Sequence, residues 1–330
     1  MSNKSTRLDF LARYATSFEK ELQNLDYPAK PETLYLPQRY ILKNGGKRIR
    51  PILSLISCGI CGSDPIKAMP AALAVELLHN FTLIHDDIMD QADSRRGEPS
   101  VHKKWDEATA ILSGDSMFTY SLLQLQKIPE YVDHKKISDL FLNAINRVCE
   151  GQAMDMEFES RNDVTVEEYH QMINGKTGAL IGASMQMGGL CGDATSEQLE
   201  KLSLIGYSLG LAFQIQDDWL DVFGDPDKIG KRKAGDIHEG KKTLLMLSAL
   251  ERCGESDRTV ILEYIQNKPL SDSEVNDVIE IFESCGIRED AKAQFLQHYD
   301  RAEKALGEFG DSNYKQDLQH LIKFLKNRES

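Results

Sequence analysis

The chain of 330 residues lacks several features that mark other classes of protein. Its 39 basic residues stand against 52 acidic ones, and the net charge of −13 argues against a surface for nucleic acid or anionic membranes. It contains no apolar stretch long enough to cross a bilayer, since the segment 179–190 is short and rich in glycine. Residues 1–17 have no apolar region of the kind that a secretory signal peptide needs. These absences predict a cytoplasmic protein without stable membrane insertion.

Cysteine is also scarce. The six cysteines are scattered, at positions 58, 61, 149, 191, 253 and 285. Residues 58–61 have the CxxC form, but no second CxxC and no histidine cluster completes a zinc site. We therefore predict that the cysteines are reduced thiols in the core.

A convincing strand pattern is absent too, whereas helical spacing of apolar residues runs through the chain. The helical segments lie near 6–24, 33–44, 51–60, 67–92, 104–127, 135–159, 166–190, 196–223, 242–252, 257–267, 272–284, 288–308 and 312–326. Glycine and proline fall between them, and no linker, repeat or low-complexity tract divides the chain. We predict an all-α fold, with one domain over 1–330 that forms a helical bundle around a central active-site cavity.

Two aspartate-rich runs stand on this helical background. LLHNFTLIHDDIMD ends in Asp86, Asp87 and Asp90, and FQIQDDWLD ends in Asp217, Asp218 and Asp221. Because residues i and i+4 share a helix face, each run presents a pincer of two carboxylates. The flanks are apolar, unlike a solvated face, and carboxylates this close repel one another unless a cation lies between them. Oxygen ligands without His or Cys favour Mg²⁺, so the six carboxylates predict up to three Mg²⁺ ions and a bound diphosphate.

Basic residues accompany the two runs. They are Lys47, Arg50, Arg95, Arg96, Lys176 and Lys231, with His79 about two turns before the first run. Glycines in the GGKRIRP motif at 45–51 allow close approach of the backbone, and arginine can hold phosphate oxygens through a bidentate fork. Each of these residues could instead have a purely structural role. It could be a basic residue in a surface turn, a partner in an ion pair with the aspartates, a lysine whose side chain extends to the surface, or a histidine of the core. Six cations besides the metal ions exceed what one diphosphate needs, so we predict two diphosphate sites, one on metal ions and one on basic side chains.

Two polar loops follow the aspartate runs directly. They comprise residues 91–103 and 224–243, and both are rich in Lys and Arg and contain Gly. Their position predicts that they close over the anion that the aspartates hold.

Together these motifs closely resemble those of the trans-isoprenyl diphosphate synthases, also called polyprenyl synthetases. The matching segments are 45–51, 77–102, 151–155, 176–180, 213–221 and 236–243, in the order and spacing of that family. The resemblance implies an all-α homodimer that joins isopentenyl diphosphate head-to-tail to an allylic diphosphate (dimethylallyl, geranyl or farnesyl) and releases diphosphate.

The resemblance also implies a role for each matching residue. The six aspartates would hold Mg²⁺ against the allylic diphosphate. The other cations on that diphosphate would be Arg95, Lys176 and Lys231. The isopentenyl diphosphate pocket would consist of Lys47, Arg50, His79 and Arg96. Polar groups near the developing carbocation and the metal site would be Thr177, Gln214, Gln152 and Asp155. Two positions depart from the family pattern: Ala234 stands in place of Gly, and Leu245 in place of Pro.

Four other interpretations share part of this pattern. A class I terpene cyclase also ionises a diphosphate on Mg²⁺, but it needs no second diphosphate pocket and usually has an NSE- or DTE-type second motif. Squalene and phytoene synthases have DxxxD-like motifs. A regulatory subunit of a synthase dimer would be expected to have lost aspartates. A cation-binding structural protein is the remaining class.

The chain-length pocket is predicted along the helix that precedes Asp86. Phe81, Thr82 and Leu78 lie on it, about one to two turns deeper at ~1.5 Å per residue. One aromatic residue at the fifth position upstream resembles the geranylgeranyl diphosphate synthases, whereas farnesyl enzymes more often have two adjacent aromatics and long-chain enzymes a small residue. A phenyl ring there would be the floor, because a packed interior cannot yield to each added isoprene unit.

We therefore predict a C20 product, with C15 second and longer chains third. An alternative floor is the helix that contains Met117 and Phe118.

Overall fold

The computed structural model describes residues 11–225, 234–266 and 269–328. Within these residues the chain forms two compact units. Unit one contains the chain up to Phe141, Ala183–Leu202 and Gly310–Leu318, and unit two contains Leu142–Gly182, Ser203–Phe309 and the chain from Gln319 onwards. The all-α prediction is confirmed. The single domain over 1–330 and its central cavity stay predictions.

The helices follow the predicted segments closely. They are α1 (Ala12–Gln23), α2 (Glu32–Lys43), α3 (Ile49–Ile60), α4 (Met69–Met89), α5 (Val101–Lys104), α6 (Glu107–Leu125), α7 (His134–Ser160), α8 (Val166–Ile173), α9 (Ala179–Cys191), α10 (Ser196–Phe223), α11 (Gly235–His238), α12 (Leu244–Arg252), α13 (Glu255–Gln266), α14 (Asp272–Ser284), α15 (Ile287–Gly307) and α16 (Asn313–Lys326). Among the described residues, no helix is long and apolar enough to span a membrane. The cytoplasmic location stays a prediction.

Local capping explains several of the helix starts. Thr165 opens α8 with a capping box in which its side chain and that of Glu168 satisfy each other's backbone N–H groups. Ser271 and Glu274 do the same at the start of α14. Each cap supplies acceptors for N–H groups that the helix itself leaves without partners.

In unit one, α4 packs along α6 and also against α3. The buried face of α4 includes Leu77, Leu78 and Ile84, which are excluded from solvent. A Cβ at Gly114 on α6 would lie 2.5 Å from the His85 ring, so glycine allows the two helices to approach closely there. This packing holds the first aspartate run at the end of a rigid helix.

The loop after the first run contains the only sheet among the described residues, which the sequence did not predict. Its two strands, β1 (Ser94–Arg95) and β2 (Glu98–Pro99), pair antiparallel. The connecting residues Arg96 and Gly97 have φ of 56° and 81°, the backbone that a tight two-residue hairpin turn requires. The loop is thus an ordered hairpin that presents its two arginines at defined positions.

In unit two, the predicted helix over 166–190 is interrupted at its NGKTG segment, residues 174–178. A π-helical turn, Asn174–Gly178, separates α8 from α9. A Cβ at Gly151 would lie 2.2 Å from the backbone nitrogen of Lys176, so α7 approaches this turn in a way that only glycine permits. The turn therefore sets the position of Lys176.

The prediction of six reduced core thiols is wrong for four of the cysteines. Cys253 and Cys285, at the ends of α12 and α14, form a disulfide with a Cα–Cα distance of 5.8 Å. Cys149 is exposed and Cys61 is half-buried, so these two are not core residues. The remaining pair, Cys58 and Cys191, are free and buried as predicted. The pairing escaped sequence analysis because its members are 32 residues apart and share no motif.

Candidate active site

The first aspartate cluster lies at the carboxyl end of α4. Asp86 and Asp87 are in the last turn, and Asp90 caps the helix with its N–H donating to the Asp86 carbonyl at 2.8 Å. The Asp87 side chain is fully buried, and its Oδ1 accepts from Arg95 Nε at 2.9 Å. The Asp87 Oδ2 is buried without a protein donor. A buried anionic oxygen in this state is costly, and a cation would satisfy it.

We call four residues of unit one the basic pocket. They are Lys47, Arg50, His79 and Arg96, the set that the sequence assigned to isopentenyl diphosphate. Arg50 Nη1 donates to His79 Nε2 at 3.3 Å, and Arg96 donates to the carbonyl of Gly45. A Cβ at Gly46 would lie 3.0 Å from the Arg96 guanidinium. Because glycine has no side chain, it leaves room for this guanidinium.

Burial and the charges of the basic pocket keep its histidine neutral. Burial, together with the neighbouring Arg50 and Arg96, holds the pKa of His79 well below its usual value. A neutral His79 accepts from Arg50 on one ring nitrogen and keeps an N–H on the other. The pocket therefore combines fixed guanidinium charges with a neutral donor, which suits a diphosphate.

The second aspartate cluster lies on α10 in unit two. Asp218 is buried and accepts from the Tyr169 hydroxyl at 2.5 Å and from Gln214 Nε2 at 3.1 Å. Burial, then the nearby Asp236, raises the pKa of Asp218 to about 8. The same two causes raise the pKa of Asp221. Asp218 therefore holds a proton near neutral pH and would release it to a metal ion.

The polar residues predicted beside the carbocation lie on the turn before α9 and on α10. Thr177 Oγ1 donates to Gln214 Oε1 at 3.3 Å, so the hydroxyl and the amide are in contact as a pair. Gln214 in turn reaches Asp218, which links the pair to the acidic cluster. Gln152 is buried, and its Oε1 has no protein donor.

Lys176 was expected to need an anion, and its partner is a protein carboxylate. Its ammonium group donates to Asp155 Oδ2 at 2.5 Å. The two side chains are 29 % and 41 % exposed, so this ammonium is not deeply buried. Lys176 is therefore accessible to an incoming phosphate oxygen, with Asp155 as its resting partner.

Three residues that contact the second cluster were not predicted from the sequence. Tyr169 and Asp236 act on Asp218 as described above, and the Arg328 guanidinium pairs with Asp217 while it lies 4.6 Å from the centre of the Phe213 ring. Tyr169 and Arg328 carry no local signal, since they are 49 and 111 residues from their partners. Asp236 lies in the DIHEGKKT segment and could have been noted as an acidic neighbour.

The loop after the second run is described only in part. Lys231 lies outside the described residues. Ala234 has a φ of 55°, a left-handed backbone that explains why glycine is usual at this position in the family pattern. Its N–H donates to the Asp221 carbonyl at 2.8 Å. Leu245 is buried in the first turn of α12, a place where proline is also tolerated.

Comparison with known proteins shows which family the chain belongs to. A sequence model of the polyprenyl synthetase family matches residues 31–282. The chain belongs to the polyprenyl synthetase family. It is 39 % identical over 322 residues, 98 % of each chain, to the short chain isoprenyl diphosphate synthase of Methanothermobacter thermautotrophicus.

Solved structures of polyprenyl synthetases share the fold. The geranylgeranyl pyrophosphate synthetase from Pyrococcus horikoshii has a TM-score of 0.92 and 36 % identity, over 97 % of this chain and 99 % of that one. A polyprenyl synthase from Caulobacter crescentus, solved with calcium and isoprenyl diphosphate, has a TM-score of 0.87 and 26 % identity over the full length of both chains. The predicted family, the all-α fold and the predicted enzyme class, a trans-prenyltransferase, are confirmed.

Polyprenyl synthetases depend on a divalent metal, and the donor set of this one fits such an ion. The unpartnered Asp87 Oδ2 and the carboxylates of α10 are hard oxygen ligands. Among the residues described here, no three Asp, Glu, His or Cys side chains converge tightly enough to hold one ion. Asp87 and Asp217 are instead drawn toward Arg95 and Arg328.

In this polyprenyl synthetase, both predicted chain-length floors belong to one aromatic cluster. The Phe81 ring centre lies 5.4 Å from that of Phe118 and 4.7 Å from that of His85. Leu78 is fully buried, and the Thr82 hydroxyl donates to the His79 carbonyl at 2.8 Å. The two rings of α4 and α6 thus form a contiguous apolar surface two turns before the end of α4.

Proposed function

We propose that this prenyltransferase joins isopentenyl diphosphate head-to-tail to an allylic diphosphate, and that its main product is the C20 geranylgeranyl diphosphate. The observation that carries the proposal is the basic pocket of unit one, which uses no aspartate of the two clusters. A second diphosphate site without metal ligands is what a condensing enzyme needs and a terpene cyclase does not.

The metal ion in this proposal is Mg²⁺, with up to three ions. The six aspartates would hold them. When bound, Mg²⁺ stabilises the negative charge that grows on the departing diphosphate, which is the largest catalytic effect in such a reaction. Asp87 Oδ2 supports this assignment, since it is buried and lacks a donor.

The remaining steps fall to side chains of this chain. Arg95, Lys176 and Lys231 would bind the allylic diphosphate, and Lys176 would release Asp155 to do so. Thr177 and Gln214 would turn their oxygens toward the allylic carbocation. The alkene of isopentenyl diphosphate attacks that cation, and the proton is then lost to the departing diphosphate. Lys47, Arg50, His79 and Arg96 would hold isopentenyl diphosphate during the attack.

Product length would be set by the aromatic cluster. Phe81 is the proposed floor, with Phe118 behind it and Leu78 and Thr82 on the same helix. The name of the Pyrococcus horikoshii relative supports C20, and that of the Methanothermobacter relative supports a short chain. Farnesyl diphosphate is the second candidate.

We also propose that the enzyme is a homodimer. Leu112 and Leu123 lie eleven residues apart on α6, about three turns, and therefore share a face. They are 60 % and 41 % exposed, and Ile111 beside them is 46 % exposed. Large apolar side chains grouped on one helix in this way are typical of a subunit interface.

The test is to incubate the chain with isopentenyl diphosphate, an allylic starter and Mg²⁺. Diphosphate release is expected only when both substrates are present, and chromatography of the dephosphorylated products is expected to show C20 alcohol. Release from the allylic substrate alone would indicate a cyclase. No release with any starter would indicate a non-catalytic subunit.

A further inference from the structure

Arg48, inside the GGKRIRP motif, is buried, and its partners are protein groups. Its side chain is 3 % exposed, in contrast to the exposed Lys47 beside it. Its guanidinium donates to Glu19 Oε1 at 2.7 Å, to Glu76 Oε1 at 2.5 Å and to the Leu42 carbonyl at 2.6 Å. One side chain thus ties the motif to α1, to α4 and to the end of α2.

The backbone at Arg48 is in an unfavourable conformation that these bonds maintain. Its φ is 48° and its ψ is 33°, the left-handed region that is unfavourable for a non-glycine residue. Arg48 is also the N-cap of α3. Its backbone conformation therefore sets the direction of Lys47, which precedes the helix, relative to Arg50, which lies in its first turn. A strained backbone held by buried bonds is common at binding sites.

The partner carboxylate of Arg48 is connected to the other side of the same pocket. Glu76 is 2 % exposed and lies on α4, three residues before His79. Its Oε1 also accepts from Asn80 Nδ2 at 3.0 Å, and its carbonyl accepts from the same group at 2.8 Å. Glu76 therefore joins the motif that carries Lys47 and Arg50 to the stretch of α4 that carries His79.

We propose that Arg48 and Glu76 form a positioning pair that holds the two sides of the basic pocket in register for isopentenyl diphosphate. This inference depends on the function proposed above for that pocket. Neither residue contacts the substrate. The pair acts by aligning Arg50 with His79, whose 3.3 Å contact spans the same two elements.

The direction in which the affinity for isopentenyl diphosphate changes when Glu76 loses its charge distinguishes a positioning role from a purely electrostatic one. Glu76 is fully buried and pairs with Arg48, and its charge also acts on Arg50 and Arg96. Removing its charge makes the pocket more positive and, by electrostatics alone, would tighten diphosphate binding. If positioning dominates, the same change weakens binding, because misaligned groups lose contacts with the ligand.

The experiment compares Glu76→Gln with Glu19→Gln. Both bond to Arg48, but Glu19 is 37 % exposed, and it is Glu76 that accepts from Asn80 on α4, so Glu19 serves as the matched control. We expect Glu76→Gln to raise the KM for isopentenyl diphosphate about tenfold and to change the KM for the allylic substrate less than about twofold. Glu19→Gln is expected to leave both KM values within about twofold.

Arg48→Lys is the milder second variant, since a lysine can satisfy some but not all of the three acceptors. It is expected to raise the same KM by about threefold, in proportion to the lost bonds. Thermal unfolding of each variant shows whether it is folded. Equal changes in both KM values, or a lower KM for isopentenyl diphosphate in Glu76→Gln, would overturn the positioning role.

Arg50→Ala separates this inference from the proposed function. If Arg50→Ala leaves the KM for isopentenyl diphosphate unchanged, the pocket itself has been assigned wrongly. If Arg50→Ala raises that KM while Glu76→Gln does not, the pocket stands and the positioning pair fails.

Discussion

At the scale of single residues, the two aspartate clusters differ in how they are prepared for a cation. Asp87 is held by Arg95 and keeps one buried oxygen without a donor. Asp218 accepts from Tyr169 and Gln214, and burial raises its pKa to about 8. The first cluster therefore offers a buried oxygen without a donor, whereas Asp218 in the second has to lose a proton before it binds metal.

Asp86→Ala is expected to lower kcat by about a hundredfold or more, because it removes a proposed ligand of the metal ions whose charge stabilises the leaving group. The measurement is steady-state diphosphate release at saturating Mg²⁺. Asp139→Ala is the control, since Asp139 pairs with Lys135 on the exposed face of α7. Activity near that of the unaltered enzyme in Asp86→Ala would refute the metal assignment.

The raised pKa of Asp218 predicts how stability depends on pH without divalent ions. Between pH 3.8 and about 8 the folded chain keeps a proton that the unfolded chain has released, so this group lowers the free energy of unfolding as pH rises through that window. Asp218→Asn cannot titrate. Relative to the unaltered chain, it is expected to gain stability from pH 5 to pH 8.

Urea unfolding in the presence of a chelator measures this difference. Curves of unfolding free energy against pH that stay parallel for the two proteins would contradict the shifted pKa. Adding Mg²⁺ to the unaltered chain is expected to stabilise it more at pH 8 than at pH 6, because the ion binds the deprotonated carboxyl group.

At the scale of elements, the helices were predictable and their side-chain partners were not. The bounds 196–223 of α10 were predicted correctly, since apolar periodicity runs between a capping threonine at 195 and a glycine at 224. The hairpin in the loop 91–103 was missed because strands of two residues are too short to show alternation. Its Arg96-Gly97 turn is the one local signal that pointed to it.

The ring contact between Phe81 on α4 and Phe118 on α6 leads to a prediction about product length. Phe81→Ala removes one of the two phenyl rings of the aromatic cluster. It is expected to lengthen the main product beyond C20 by one isoprene unit, with Phe118 as the remaining floor. The double variant Phe81→Ala with Phe118→Ala is expected to lengthen products further. Chromatography of dephosphorylated products measures both.

A matched control for the floor is Phe223→Ala, since Phe223 lies on α10 in an aromatic group with Trp219. It is expected to leave the product length unchanged. If Phe118→Ala lengthens the products while Phe81→Ala does not, the floor lies on α6.

At the scale of the whole molecule, motif order identified the family but not the long-range pairs. In unit one, Arg50 of the GGKRIRP motif contacts His79, which precedes the first aspartate run, because α3 packs against α4. The contact of Arg328 with Asp217 joins the end of the chain to the second run, and the Cys253–Cys285 disulfide joins two helix ends. Neither follows from local pattern, since both depend on tertiary packing that periodicity does not encode.

The proposed homodimer gives the last prediction. Leu112→Glu would put a charge on the apolar face of α6, and a desolvated, unpaired carboxylate at a subunit interface is costly. The variant is expected to sediment at half the mass of the unaltered protein in analytical ultracentrifugation. Ile66→Glu is the control, since Ile66 is 49 % exposed but lies on the short turn before α4. If the Leu112→Glu variant and the unaltered protein are both dimers, the interface lies away from this face of α6. If both are monomers, the homodimer proposal is wrong.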